Sequence, residues 1–133
     1  MSPRYFSPAE VEALIPTLSR IMKGVMAAHT EVSEIAARLH GDRERIARSG
    51  GGTIDREAWG RDRAQVDEKT AAIQTGLTEI SELGGETKDL TMGLVDFRHL
   101  LRGQEVNLCW RYGETAIGFW HGLQEGYAAR KPL

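Results

Sequence analysis

The sequence predicts an α+β fold: a long antiparallel helical hairpin followed by a small, mainly antiparallel β-sheet. Three observations carry this expectation. Between residues 7 and 83, apolar positions recur at spacings of three, four and seven, the seam of a helix packed along its length. Glycine clusters at Gly50-Gly51-Gly52 and Gly84-Gly85 interrupt the seam once in the middle and once at its end. Beyond that point the composition changes. Residues 84–133 hold eight of the fifteen glycines and six of the nine aromatic residues, which suits short strands and tight turns better than helix. At 133 residues the chain is expected to form a single domain, 1–133, divided into a helical part, 7–83, and a β-rich part, 84–133.

The first helix opens at Ser7-Pro8-Ala9-Glu10, a capping box with proline at the first helical position. Its seam runs Val11, Ile15, Leu18, Met22, Val25, His29, Val32, Ala36 and Leu39, flanked by Leu14, Ile21, Ala28 and Ile35. Pro16 removes one backbone donor and is expected to bend the helix, or to end a short first segment near Leu14. The helix is expected to reach about Leu39. Asp42-Arg43-Glu44-Arg45 reads as a frayed extension or a loop. Thr53 or Asp55 can cap the second helix, whose apolar positions are Trp59, Val66, Ile73, Leu77, Ile80 and Leu83. Such arms would be roughly 45–55 Å long. A two-helix hairpin buries one stripe per helix, so the rest of the chain, a homo-oligomeric copy or a protein partner is expected to cover the seam.

The β-rich part divides into two hairpins. Residues 86–90 and 94–97 flank the turn Thr91-Met92-Gly93, and 98–103 reads as a connector. Residues 104–110 and 115–121 flank Arg111-Tyr112-Gly113-Glu114. A two-residue turn at Tyr112-Gly113 places Asn107 opposite Gly118 and Glu105 opposite Trp120. One face then carries Glu105, Asn107, Cys109, Arg111, Glu114 and Trp120; the other carries Val106, Leu108, Trp110, Ile117, Phe119 and His121. A three-residue turn reverses the parity and brings Cys109 and His121 to one face. The tail from Gly122 shows no clear period.

Composition excludes several classes. A formal charge of −2 disfavours a constitutive nucleic-acid binder, and no apolar run approaches a membrane span. One cysteine, Cys109, excludes an internal disulfide framework, and the N-terminus carries no apolar signal core, so a cytoplasmic location is expected. The helices contain no Glu-x-x-His, and neither His-Glu-x-x-His nor Gly-x-Ser-x-Gly occurs.

Several stretches, Lys88-Asp89-Leu90, Gly93-Leu94-Val95-Asp96-Phe97, Val106 to Glu114 with its Cys109-Trp110-Arg111, and Ile117-Gly118-Phe119-Trp120-His121, together resemble the bacterial DUF2203 family. The opening Tyr5-Phe6-Ser7-Pro8-Ala9-Glu10 and Leu14-Ile15-Pro16 are similar to that family's beginning. Thr87 departs from the pattern, where an aliphatic residue is expected before Lys88-Asp89. The family is one of unknown function, so the resemblance implies neither an activity nor catalytic residues.

The chemistry-bearing residues allow three readings. Asp96, Cys109, Glu114 and His121 form a ligand set suited to zinc or iron, since thiolate, imidazole and carboxylate are their usual donors. Glu105, Arg111 and Trp120 could bind an anionic or planar ligand, with Arg111 gripping a carboxylate or phosphate and Trp120 stacking. The plainer reading makes Cys109 a small buried hydrophobe, packs Leu108, Trp110 and Phe119 as the core face, and pairs Arg111 with Glu114 across the hairpin. His29 reads as a core or interface histidine. Gly50 to Thr53 reads as a hairpin tip rather than an anion nest, and Arg43, Arg45, Arg48, Arg56, Arg61 and Arg63 as a solvated charged surface. On these residues the leading expectation is a non-enzymatic interaction module acting through its helical seam. The alternative is a small metal- or anion-binding protein or enzyme with its site on the sheet.

Overall fold

The computed structural model describes residues 4–49 and 56–133. Two helices, α1 (Pro8–Ser49) and α2 (Arg56–Leu83), precede strands β1 (Glu86–Asp89), β2 (Leu94–Leu101), β3 (Gln104–Arg111), β4 (Phe119–Gly122) and β5 (Lys131–Pro132), with one 3₁₀ turn at Tyr127–Ala129. The α+β expectation and the hairpin are both observed. The glycine tip at 50–52, the Gly50–Thr53 nest and the proposed caps Thr53 and Asp55 lie outside the described residues.

The capping box forms as expected: Ser7 N–H donates to Glu10 Oε1 at 2.9 Å, and Glu10 N–H donates to Ser7 Oγ at 3.1 Å. Pro16 does not end the helix, which runs unbroken through it. Buried Ile15 and Leu18 on either side hold the chain against the core while one hydrogen bond is forgone. The helix also passes Leu39 and continues to Ser49. Contacts one turn apart support this last stretch: Arg45 with Asp42 at 3.0 Å and His40 with Glu44 at 3.1 Å.

The arms are antiparallel, since Arg38 pairs with Asp62 at 2.7 Å, Lys69 pairs with Glu31, and Gly76 lies beneath Val25. A Cβ at Gly76 would lie 2.3 Å from Val25 Cγ2, so glycine permits this close approach. The N-terminal half of α1 also covers the sheet. Phe6, Val11, Leu18 and Met22 join Val95, Phe97, Leu108 and Trp110 in one core, with Phe6 meeting Phe97 edge-on at 5.2 Å. His29 is half-buried and borders a groove with Met26, Leu90 and Thr91.

The sheet is antiparallel in the order β1-β2-β3-β4-β5. The stretch expected to be a connector, 98–103, is the end of β2 and a two-residue turn. Arg102 and Gly103 both have positive φ, 52° and 82°, which matches the twist of the strands they join. The strand expected at 115–121 is shorter and starts at Phe119. A turn does close at Arg111, where Glu114 N–H donates to its carbonyl at 2.9 Å, but the chain does not then return alongside β3. Trp110 Nε1 donates to the Glu114 carbonyl at 3.0 Å, and Ile117 is buried with its N–H donated to Glu12 Oε1 on α1 at 3.0 Å.

Held against α1, residues 112–118 shift the register by three. Asn107 faces His121 rather than Gly118, and Leu108 faces Trp120. An odd shift reverses the parity. Trp120 therefore leaves the Cys109 face, and His121 joins it.

Candidate metal centre

Three neighbouring strands each place one side chain on the sheet face opposite α1. Asp96 of β2 is the direct partner of Cys109 on β3, and Asn107, two residues before Cys109, is the partner of His121 on β4. Their donor atoms all lie within 4.8 Å of one another. Tetrahedral zinc with ligands at ~2.0–2.3 Å sets its donors roughly 3.3–3.7 Å apart, so small shifts, with His121 Nε2 and Asp96 Oδ2 parting slightly from 3.0 Å, would seat an ion. All three side chains are sealed from solvent: Cys109 is 1%, His121 2% and Asp96 3% exposed. The C-terminal segment is their cover, with Glu125, Gly126 and Tyr127 bordering a cavity of about 90 Å³ beside them.

The hydrogen bonds define the imidazole. His121 Nδ1 lies 2.9 Å from the Gly122 carbonyl, and a carbonyl only accepts, so Nδ1 carries the proton. In the neutral ring Nε2 is then a bare lone pair. It stands 3.0 Å from Asp96 Oδ2, another acceptor. Two acceptors at that distance require a proton or a cation between them. Neither oxygen of Asp96 has a well-directed hydrogen bond, although both are buried. A buried carboxylate left in this way is costly unless it is paired or binds a metal.

The electrostatics agree with this arrangement. Burial pushes the Asp96 carboxyl above the usual carboxylate range, and the attraction of His121 offsets this only in part. Burial, with the Asp96 charge beside it, pushes the Cys109 thiol up to about 12. Without a cation the cysteine is a thiol. A metal would displace its proton and supply the charge that Asp96 and Cys109 both lack.

The same geometry argues against a nucleophilic cysteine triad. The imidazole spends Nδ1 on a carbonyl and turns Nε2 toward Asp96 rather than toward the thiol, so the acid does not orient the ring for Cys109 as a triad requires.

The other expected site residues go elsewhere. Glu114 is not a fourth ligand: its Oε1 accepts from the Arg111 backbone N–H and its Oε2 pairs with Arg130, both at 2.7 Å. The expected Arg111–Glu114 side-chain pair is thus replaced. Arg111 donates instead to the Tyr127 hydroxyl at 2.9 Å. Glu105 sits at the far end of β3, opposite Leu100, where it contacts Tyr5 and Arg98. Trp120 packs against the core on the other face, with Lys131 Nζ 4.7 Å from its ring. Glu105, Arg111 and Trp120 therefore form no common site. Phe119, expected in the core, is exposed under the Arg130 guanidinium, 4.0 Å from the ring centre.

Sequence reasoning missed Lys88, Glu125 and Tyr127, which border the cavity. Lys88 lies within a register irregularity in β1, between Thr87 and Asp89, and the aperiodic tail offers no pattern that would place the other two.

The family model described as Uncharacterized conserved protein (DUF2203) matches residues 4–133. The chain belongs to this family, as its Cys109-Trp110-Arg111 and Trp120-His121 blocks suggested. No curated protein and no solved structure matches it. Among the described residues, no helix is long and apolar enough to cross a membrane.

Proposed function

We propose that this protein binds a single divalent metal ion of the zinc class through Asp96 Oδ, Cys109 Sγ and His121 Nε2. The observation that carries the reading is the convergence of three buried donors, Asp96, Cys109 and His121, within 4.8 Å of one another, with the other nitrogen of the imidazole committed to the Gly122 carbonyl. A ligating histidine oriented by a backbone carbonyl is the usual second layer of a metal site. The mixed donor set favours zinc over magnesium or calcium, which take all-oxygen shells. Three protein ligands leave one position of a tetrahedral ion open, as in catalytic rather than structural zinc sites. The helical hairpin serves as the scaffold, since α1 backs the face opposite the site and holds the loop that sets the β3–β4 register.

Elemental analysis of metal-stripped protein reloaded with zinc tests this. One zinc per chain is expected in the wild type, falling well below that in Cys109→Ser and His121→Ala. Zinc retained in full by both variants, or none bound by the wild type, overturns the proposal. Circular dichroism of the variants separates loss of metal from loss of fold.

A further inference from the structure

We infer that the open position of this metal takes a small anion, held against the ion by Lys88; the inference rests on the metal reading above. The cavity beside the three ligands is bounded on its other sides by Lys88, Leu94, Glu125, Gly126 and Tyr127. A divalent ion would be neutralised by the Asp96 carboxylate and the Cys109 thiolate.

The charge that then decides the ligand is the charge of the remaining wall. Glu125 is already committed, because its Oε1 accepts from Gly122 N–H and from Lys131 Nζ, both at 2.7 Å. Lys88 pairs with Glu86 at 2.9 Å, just as Glu125 pairs with Lys131, and its charge acts on Asp96 inside the site. Tyr127 accepts the Arg111 hydrogen bond and so retains its own O–H to donate. Lys88 and Tyr127 both border the cavity, and their ammonium and phenolic hydroxyl are donor groups that suit an anion.

Size narrows the class. About 90 Å³ is roughly three water-sized volumes, enough for an ion with a carboxylate-sized group and too small for a nucleotide or a sugar phosphate. The ligand class is therefore a small carboxylate or a similar planar anion, whether free or as the end group of a larger molecule reaching in past Lys88.

The test uses the full chain loaded with cobalt(II), whose visible bands report changes in coordination. Acetate and azide are titrated separately at constant ionic strength. A saturable spectral change with one anion per cobalt is expected. Lys88→Gln should weaken anion binding about ten-fold or more, as loss of a charge-assisted hydrogen bond does, and Lys88→Arg should restore much of it. Cobalt at saturation should remain one per chain in both variants. A cobalt spectrum indifferent to both anions, or equal anion affinity in Lys88→Gln, overturns the inference while leaving the metal site standing. Absence of a thiolate-to-cobalt charge-transfer band in the wild type removes the metal site, and the inference with it.

Discussion

Replacing Asp96 by asparagine should stabilise the metal-free protein and abolish its metal binding. Asp96 is 3% exposed, neither oxygen has a well-directed hydrogen bond, and burial outweighs its attraction to His121. An asparagine amide fits the same space and carries no charge to desolvate. Its N–H can donate to the bare Nε2 of His121, 3.0 Å from the present oxygen. Neutralising a poorly compensated buried charge is worth about 1–2 kcal/mol at neutral pH. For a domain of this length, that is a rise in Tm of roughly 3–8 °C.

The pH dependence follows from the raised carboxyl. A group whose pKa is higher folded than unfolded contributes its stability below the unfolded value and loses it as pH rises through the folded one. The advantage of Asp96→Asn should therefore be small in acid, grow above the ordinary aspartate range, and level off beyond the pKa of Asp96. Zinc at about a thousand times its Kd should add ~4 kcal/mol to the wild type, more than 10 °C in Tm, and little to the variant. Differential scanning fluorimetry of metal-stripped protein, with and without zinc, reads both effects. A variant destabilised by about 3–5 kcal/mol would refute the reasoning, because that is the signature of breaking a well-compensated buried ion pair.

Other expectations follow from the same structure. With its thiol pushed up to about 12 and only 1% exposed, Cys109 in metal-free native protein should react with a disulfide reagent at least about ten-fold more slowly than an ordinary thiol, as timed absorbance would show. Rapid labelling under native conditions would contradict the burial and charge assigned to it. Gly84 has φ +101° with the Phe6 ring 2.3 Å from where a Cβ would stand, so Gly84→Ala should cost at least ~2 kcal/mol in urea unfolding. A cost under half of that would mean the helix-to-sheet corner is looser than described. Glu12→Gln should lower zinc affinity without touching a ligand, because the Glu12 carboxylate holds the Ile117 N–H and so the register that aligns His121 with Cys109. Zinc titration showing unchanged affinity would remove that role from Glu12.

Local signals made much of the fold legible. Ser7 and Glu10 announced the first helix, and Gly84-Gly85 marked the end of the second. Leu108 and Trp110 were placed in the core correctly because alternation depends only on their own strand. The failures came where a distant partner decides. The helix outran Leu39 because three one-turn pairs, His40–Glu44, Asp42–Arg45 and Glu44–Arg48, together offset a single helical glycine at Gly41. The β3–β4 register depended on Ile117 burying itself and binding Glu12, a contact 105 residues away in sequence. Asp96, Cys109 and His121 are recognisable by type as metal-donor residues. Their meeting depended on that odd shift, and Glu114 was lost from the set because Arg130 in the tail claims it. Lys88, Glu125 and Tyr127 were hidden because an irregular strand and an aperiodic tail give no periodicity to read.

The most direct test of the central claim is X-ray absorption at the zinc edge of the reloaded protein. One sulfur at ~2.3 Å with nitrogen and oxygen neighbours at ~2.0–2.2 Å is predicted, from Cys109, His121, Asp96 and the open position. A shell with no sulfur, or six oxygen neighbours at longer distance, would show that zinc sits elsewhere and that Asp96, Cys109 and His121 form a packed polar cluster with no metal role.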